Sequence, residues 1–476
     1  MSEPLPTGRL IVPALRWRAD GGFAHEAGAI ADALDLGVGG FIVFGGTVEA
    51  VRRLTADLLR RAGRPLLVAS DLERGAGQQV TGLTEFPPPA ALAALGDPAV
   101  VRWAGAVTAQ EARAVGINWV FAPVADIDLL AGNPIVQTRA FGPDPHRVAT
   151  AVRSWIEGCQ GAGALACAKH FPGHGRTTVD SHVELPVVDA SAETLTTVDL
   201  VPFEVAVDSG VASVMTAHVA YPALDEAAVP ATVSRPILAR LREGMGFDGL
   251  VVTDALIMDG AVVGRRESDA AVEAVTAGVD LLLYPKDPRR VRDALEQALA
   301  SGALPRARLE QALARYDRAL RAATAATPPV SRGPYESADV LADVLLAQGM
   351  LRGSVPELTA PLDLIVVDDD LGGPYPPPPA DWTAQALGPD LVDRYAGGSR
   401  VVLVFNEPRA WKGRSGFGPD ARNALAAYAP DADLVVLFGH PRLVEEIPTR
   451  APVLLAWHRQ RLMQEAVARW LRRRIG

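Results

Sequence analysis

Residues 163–175 read GALACAKHFPGHG, and this stretch contains the pattern that decides the fold. Its first half, Ala164–Ala168, is a short apolar run that begins after a glycine and is followed directly by Lys169 and His170. A continuously apolar run indicates a parallel strand covered on both faces, because a strand with one wet face alternates apolar and polar residues. The stretch therefore predicts a buried strand with polar groups at its carboxyl end.

The same pattern occurs eight times within residues 1–325. A longer segment with helical spacing follows most runs, as in Pro98–Val115, where Asp97 and Pro98 resemble an N-cap followed by proline at the first helical position. Eight βα units predict a TIM-like (β/α)8 barrel, and the strand count favours it over a doubly wound open sheet. The predicted strands are Arg9–Leu15, Gly40–Phe44, Pro65–Ser70, Asn118–Ala122, Ala164–Ala168, Ala212–Thr216, Leu250–Thr253 and Asp280–Tyr284.

A second, smaller domain is predicted after the barrel. Residues 326–337 lie in a stretch with three prolines, three serines and threonines and a glycine, which is typical of a linker. Alternating apolar runs and helical segments resume in residues 338–476, which predicts a smaller α/β domain. Its expected strands are Leu362–Val367, Arg400–Phe405, Asp433–Phe438 and Pro452–Ala456.

The composition excludes several classes of partner. Hydrophobic residues make up 49% and charged residues 21% of the chain, so it can bury a large core. The formal net charge of -10 opposes attraction to phosphate backbones and to anionic lipid. We therefore expect a neutral small-molecule substrate and neither a nucleic-acid nor a membrane partner. The sequence leaves the oligomeric state open.

The N-terminus and the cysteines bear on location and chemistry. No basic segment precedes an early apolar run, and no apolar run reaches the ~20 residues that cross a bilayer, so we expect a cytoplasmic protein. The two cysteines, Cys159 and Cys167, are too few for a disulfide framework or a four-thiolate metal site. Both are predicted to be buried thiols.

Polar residues cluster where the predicted barrel strands end. Asp71, Lys169, His170, His218 and Asp254 each follow directly, or within two residues, the end of a predicted strand. Strand ends are also simply places where chains turn polar, so any one of these residues carries little weight alone. In a barrel, however, all carboxyl ends of the strands meet at the active face. The sequence therefore predicts one cleft in which these titratable groups converge.

The densest polar stretch is Lys169–Pro186, which reads KHFPGHGRTTVDSHVELP. Asp180 and His182 are two residues apart, so in an extended segment they point the same way and the carboxylate can orient the imidazole. The anionic neighbour also favours imidazolium, which holds a proton ready for donation. A metal site is the alternative for the three histidines of the stretch, but their spacing matches no familiar zinc pattern. A structural role for His174 also stays open.

The motifs KHFPGHG and DSH resemble the β-N-acetylhexosaminidase branch of glycoside hydrolase family 3. Further segments resemble that family in the expected order, and the resemblance extends from about residue 9 to 320. These segments are Ser70–Glu73 (SDLE), Asn118–Asp126 (NWVFAPVAD), Thr138–Gly142 (TRAFG), Ser213–Val219 (SVMTAHV) and Val251–Met258 (VVTDALIM).

The resemblance implies a set of roles on a TIM barrel. Asp254 would be the nucleophile of a retaining mechanism, and His182 would be the acid/base supported by Asp180. No metal and no organic cofactor is expected. Four residues would bind sugar hydroxyls and two more would line the pocket, although Met215 is open to the alternative of plain apolar packing. The sugar-binding residues are Asp71, Arg139, Lys169 and His170, and the lining residues are Met215 and His218.

Three positions depart from the family pattern and put the exact sugar in doubt. Arg74 replaces a glycine, Gln79 stands where a sugar-binding arginine is expected, and Ala255 follows the nucleophile where an acidic residue is common. The leading expectation is exo-acting removal of terminal β-linked N-acetylglucosamine, with muropeptides as the implied substrates. A β-glucosidase or β-xylosidase, a glycoside phosphorylase, and a non-catalytic sugar-binding protein are the alternatives.

Overall fold

The computed structural model describes residues 5–179, 185–262, 264–326, 333–373, 377–393 and 397–475. The chain divides into two compact units. The first, called the barrel unit, comprises Met1–Glu85, Asp97–Leu129 and Ala140–Ser331. The second unit comprises Phe86–Gly96, Leu130–Arg139 and Arg332–Gly476, so two segments from the first 325 residues group with the C-terminal part of the chain.

Eight parallel strand positions form a closed ring in the barrel unit, which confirms the predicted TIM-like (β/α)8 barrel. The first strand pairs with the second through Ala14↔Ile42 and with the eighth through Ile11↔Leu282, while the bridge Val252↔Leu281 joins the seventh to the eighth. The strands are β1 (Ile11–Val12 and Ala14–Arg16), β2 (Gly40–Phe44), β3 (Leu67–Ser70), β4 (Trp119–Val120), β5 (Leu165–Phe171), β6 (Ser213–Thr216), β7 (Leu250–Thr253) and β8 (Leu282–Leu283).

Several helices begin at a residue whose side chain caps the first turn. Asp97 accepts a hydrogen bond from the backbone N–H of Ala99, and Pro98 occupies the first helical turn, as predicted. No helix among the described residues is long and apolar enough to span a bilayer. The helices are α1 (Ala27–Asp35), α2 (Val48–Ala62), α3 (Pro89–Ala94), α4 (Pro98–Ala114), α5 (Pro145–Gly161), α6 (Ala192–Thr194), α7 (Val201–Asp208), α8 (Arg235–Ala239), α9 (Glu267–Ala277), α10 (Pro288–Ser301), α11 (Arg306–Ala323), α12 (Ala338–Ala347), α13 (Trp382–Leu387), α14 (Pro419–Tyr428) and α15 (Arg461–Arg472).

The inside of the barrel is filled by alternate side chains of its strands. Side chains two residues apart on one strand, such as Leu250 and Val252 on β7, point inward. Together with inward side chains of other strands, such as Ile42 on β2, they form a single apolar cluster. The two cysteines are buried as predicted, and burial raises the pKa of each thiol to about 12.

At the amino ends of β7 and β8 a buried carboxylate holds three arginines together. Asp280 is fully buried; its Oδ1 lies 2.7 Å from Arg308 and 3.4 Å from Arg315. Its Oδ2 pairs with Arg242 and accepts the backbone N–H of Val251 at 3.0 Å. A buried charge is tolerated only when it is fully paired, so this cluster stabilises the closing strands of the barrel.

We expect Asp280→Asn to lower the free energy of unfolding by about 3 kcal/mol, because it leaves three partly buried guanidinium groups short of a counter-charge. Urea unfolding followed by tryptophan fluorescence measures the change. Asp248→Asn is the matched control, since Asp248 pairs with Arg315 and Arg318 but its side chain is 72% exposed. The control should lose less than about 1 kcal/mol, and equal losses in both variants would contradict the assigned role of burial.

The second unit contains a five-stranded sheet, ordered β9-β13-β12-β11-β10. The four strands that the sequence predicts are present and parallel. The fifth, β9, pairs antiparallel with β13 at the edge, and its three half-exposed residues are too few to stand out as an apolar run. The strands are β9 (Met350–Arg352), β10 (Asp363–Asp368), β11 (Arg400–Asn406), β12 (Leu434–Gly439) and β13 (Val453–Leu455).

Charged groups are also buried at the carboxyl edge of this second sheet. Asp370 follows β10; its Oδ1 accepts a hydrogen bond from Lys412 Nζ at 2.6 Å and its Oδ2 accepts one from Arg459 at 2.6 Å. Lys412 is paired a second time with Asp369, at 3.2 Å. Each charge has an opposite partner, so the network ties together the segments that follow three strands of the sheet.

Candidate active site

The carboxyl ends of β3, β5 and β7 bring predicted site residues to one end of the barrel. Asp71 directly follows β3, Lys169 and His170 are among the last three residues of β5, and Asp254 directly follows β7. Because all barrel strands are parallel, these ends open on the same face. Asp71, Lys169, His170 and Asp254 therefore lie at the end of the barrel where the sequence predicts the cleft.

Lys169 is a buried cation held between two carboxylates. Only 2% of its side chain is exposed, and its Nζ lies 2.7 Å from Asp71 Oδ1 and 2.8 Å from Glu73 Oε1. The two carboxylates offset the cost of burying the ammonium group. Of the two carboxylates, Asp71 remains 30% exposed to solvent, while Glu73 is buried.

Glu73 was not among the predicted site residues, although it stands two positions after Asp71 in the quoted SDLE segment. The available signal was the i, i+2 spacing of the two carboxylates after a strand, which places them on one side. What the sequence could not supply was the lysine that both contact, because Lys169 is 98 residues away from Asp71.

His170 is fixed by a buried aspartate. Asp126 has no exposed surface, and its Oδ2 lies 2.7 Å from His170 Nδ1. Its Oδ1 accepts the backbone N–H of His170 at 3.2 Å and that of His174 at 2.6 Å. Burial raises the pKa of Asp126, but the two histidines and these hydrogen bonds outweigh burial and hold that pKa below its usual value. Asp126 is therefore an anion that contacts both ends of the same short segment.

Asp254 has a defined orientation and remains accessible. The backbone N–H of Ala255 donates to its Oδ1 at 2.7 Å, and its own N–H donates to Thr216 O at 3.2 Å. The other oxygen, Oδ2, lies 4.0 Å from His170 Nε2, and 20% of the side chain is exposed. A carboxylate held in this way presents one oxygen to a ligand that enters the barrel mouth.

His218 supports the backbone next to Asp254. It is fully buried, and its Nε2 lies 3.2 Å from Ala255 O, which can only accept a hydrogen bond. Its Nδ1 lies 2.8 Å from Thr232 Oγ1, which in turn lies 2.9 Å from Thr216 Oγ1. The chain of contacts links the ends of β6 and β7. Met215, by contrast, is part of the apolar core inside the barrel, in line with the packing alternative.

The segment after β5 is anchored before it reaches the predicted acid/base pair. Burial lowers the pKa of His174 to about 4, so the ring is neutral near pH 7, and its Nδ1 lies 2.6 Å from Thr177 Oγ1. A Cβ on Gly175 would lie 2.0 Å from Ile127 O, so only glycine permits the close approach of these two chain segments. Asp180 and His182 lie outside the described residues.

The remaining described site residue is Arg139, and Gln79 and Arg74 are two of the positions that depart from the family pattern. Arg139 ends a 3-10 helix, Gln137–Arg139, which belongs to the second unit. Gln79 accepts the backbone N–H of Gly45 at 3.0 Å and so holds the loop that follows β2. Arg74 lies 3.5 Å from Glu85. Among the described residues, no group of three or more His, Cys, Asp or Glu side chains is placed to hold a metal ion.

Comparisons with known proteins identify the family. Residues 22–319 match the model described as the glycosyl hydrolase family 3 N terminal domain. A β-N-acetylglucosaminidase/β-glucosidase from Cellulomonas fimi is 35% identical over 318 residues, or 65% of this chain and 56% of that protein. A β-hexosaminidase from Thiobacillus denitrificans is 37% identical over 269 residues, or 54% of this chain and 74% of that protein.

A solved structure extends the similarity to the whole chain. The glycoside hydrolase family 3 β-N-acetylglucosaminidase from Paenibacillus sp. str. FPU-7 superimposes with a TM-score of 0.82 at 28% identity, covering 99% of this chain and 96% of that one. The Cellulomonas protein is longer, and the matched region spans little more than half of it. The family resemblance inferred from the motifs is confirmed, and the chain belongs to glycosyl hydrolase family 3.

Proposed function

We propose that the chain is a retaining, exo-acting β-N-acetylhexosaminidase that removes terminal β-linked N-acetylglucosamine. The observation that carries the proposal is the oriented, accessible carboxylate of Asp254 beside His170 at the carboxyl end of the barrel. The relatives named β-hexosaminidase and β-N-acetylglucosaminidase support the choice of sugar.

In the proposed mechanism Asp254 attacks the anomeric carbon while the bond to the leaving oxygen breaks. His182 donates its proton to that oxygen, and a covalent glycosyl-Asp254 ester forms. His182, now neutral, then takes a proton from water, whose oxygen attacks the same carbon and releases Asp254. Two inversions give net retention. Asp180 supports His182 by orienting the ring and favouring its protonated form.

The sugar is proposed to be held by groups around this carboxylate. Asp71 accepts hydrogen bonds from hydroxyls, because it is exposed and already oriented by Lys169. Lys169 lies beside Asp71, and His170 follows Lys169 in the chain. The family resemblance implies that Lys169, His170 and Arg139 also bind the sugar and that Met215 and His218 line the pocket. Fixed donors and acceptors of this kind favour the transition state because they do not reorganise during the reaction.

Muropeptide recycling in the cytoplasm is the proposed setting. Its support is the branch of the family that the KHFPGHG and DSH motifs resemble, together with a net charge that disfavours nucleic acid and anionic lipid as partners. A β-glucosidase activity is a second candidate, because the Cellulomonas relative is named for both a β-N-acetylglucosaminidase and a β-glucosidase activity.

The choice of sugar predicts faster turnover of nitrophenyl β-N-acetylglucosaminide than of nitrophenyl β-glucoside. Release of nitrophenol, measured with and without inorganic phosphate, gives kcat/KM for each substrate and shows whether phosphate accelerates the reaction. We expect the N-acetylated substrate to be preferred and phosphate to have no effect. A preference for the glucoside would overturn the proposed choice of substrate. Acceleration by phosphate would indicate a phosphorylase, and no turnover of either substrate would favour a sugar-binding protein.

The nucleophile predicts that Asp254→Ala lowers kcat by on the order of 1000-fold or more, because no covalent ester can form. Asp259→Ala is the matched control, since Asp259 is an exposed aspartate five positions further along the same segment. The control should keep wild-type kcat, and circular dichroism should show both variants folded. Wild-type activity in a folded Asp254→Ala variant would remove Asp254 from the mechanism.

The acid/base role predicts that the loss of rate in His182→Ala depends on the leaving group of the substrate. Departure of an alkoxide needs a proton, whereas nitrophenolate leaves without one, so methyl β-N-acetylglucosaminide should be slowed far more than the nitrophenyl substrate. Steady-state rates on the two substrates measure the difference. Asp180→Asn should show the same pattern in weaker form. Equal slowing of both substrates by His182→Ala would exclude His182 as the acid.

A further inference from the structure

Asp126 is a completely buried carboxylate whose two oxygens have different partners. Oδ1 accepts two backbone N–H groups, from His170 at 3.2 Å and from His174 at 2.6 Å. Oδ2 lies 2.7 Å from the ring nitrogen Nδ1 of His170. Both oxygens are thereby occupied, and none of the roles proposed above for substrate binding or proton transfer involves this residue.

The contact decides which nitrogen of His170 carries the proton. An ionised carboxylate only accepts hydrogen bonds, so Nδ1 must be the donor. In the neutral ring Nε2 is then bare and can only accept. Nε2 is the nitrogen that lies 4.0 Å from Asp254 Oδ2, and His170 is 7% exposed, so the ring faces the carboxylate with little solvent between them.

We propose that Asp126 is a positioning residue that holds His170 as the Nδ1–H tautomer and so keeps an N–H donor away from the attacking oxygen of Asp254. The proposal rests on the proposed function, since it needs Asp254 to act as the nucleophile. In the opposite tautomer the N–H at Nε2 would face Asp254 Oδ2 across 4.0 Å, and a shift of about 1 Å would form a hydrogen bond. A hydrogen bond to the charged form stabilises that form and lowers its nucleophilicity. The bare Nε2 instead accepts a hydrogen bond from a sugar hydroxyl.

Carboxylates face both ring nitrogens of His170. Asp126 and Asp254 face its two nitrogens, Lys169 precedes it in the chain, and the ring of His174 lies 6.0 Å from its own, centroid to centroid. His174 adds no charge near pH 7, because burial lowers its pKa to about 4. The tautomer therefore depends on Asp126 alone among the described groups at Nδ1.

Asp126→Asn tests the proposal because the geometry forces the new amide into one orientation. Two backbone N–H groups point at the Oδ1 position, so the amide oxygen must stay there, and the NH2 group takes the Oδ2 position. It then donates to His170 Nδ1 and drives the ring to the Nε2–H tautomer. Because the new hydrogen bond opposes attack by Asp254, kcat and kcat/KM should fall together by about 100-fold or more.

The ring nitrogens give a readout that a merely structural role would not move. Histidine-selective 15N NMR, recorded at alkaline pH, distinguishes the two tautomers directly. The chain has eight histidines, and His170→Gln assigns the signal. We expect Nδ1–H in the wild type and Nε2–H in Asp126→Asn. The wild-type spectrum alone tests the proposal if the variant does not fold, because an Nε2–H ring there would overturn it.

Asp280→Asn is the matched control, as it removes an equally buried, charge-paired carboxylate at the opposite end of the strands. It should lose stability and keep both kcat per folded molecule and the His170 tautomer. Wild-type kcat in Asp126→Asn, or lost activity with an unchanged tautomer, would refute the positioning role. An unreactive wild type that nevertheless shows the Nδ1–H ring would instead count against the proposed hydrolase function, so the two failures are distinguishable.

Discussion

The closed ring of backbone hydrogen bonds is the constraint on which the rest of the structure depends. β1 pairs with β2 on one side and β8 on the other, so every strand of the cylinder has two neighbours. The βα connections make all eight strands parallel, so their carboxyl ends meet at the same face. Residues as far apart in sequence as Asp71 and Asp254, which are 183 positions apart, therefore lie at the same end of the barrel.

The two ends of the cylinder use buried charge for different purposes. At the amino end Asp280 has no exposed surface and is enclosed by three arginines. At the carboxyl end Lys169 and His170 are equally enclosed, but each also lies beside a carboxylate that remains accessible, Asp71 or Asp254. Full pairing favours stability, whereas partial pairing leaves oriented groups for a substrate.

The mouth is organised by buried groups that hold their neighbours in place. Glu73 and Asp71 share Lys169, Asp126 holds His170, and His218 holds the backbone of Ala255 next to the nucleophile candidate. In each case the buried group restricts the conformations of its neighbour, which lowers the conformational entropy lost when a ligand binds. The chemistry assigned to a few side chains thus depends on buried partners such as Glu73 and Asp126, for which no contact with the sugar is proposed.

The sequence by itself determined the barrel, the four parallel strands of the second sheet and the strand ends that carry polar residues, because apolar runs and their spacing are local properties of the chain. Only the tertiary structure decided that Asp126 holds His170, 44 residues away, and that Glu73 shares Lys169 with Asp71. It also decided that residues 86–96 and 130–139 group with the second unit and that β9 completes its sheet. Such pairings follow from distances between segments remote in sequence, and no local periodicity encodes those distances.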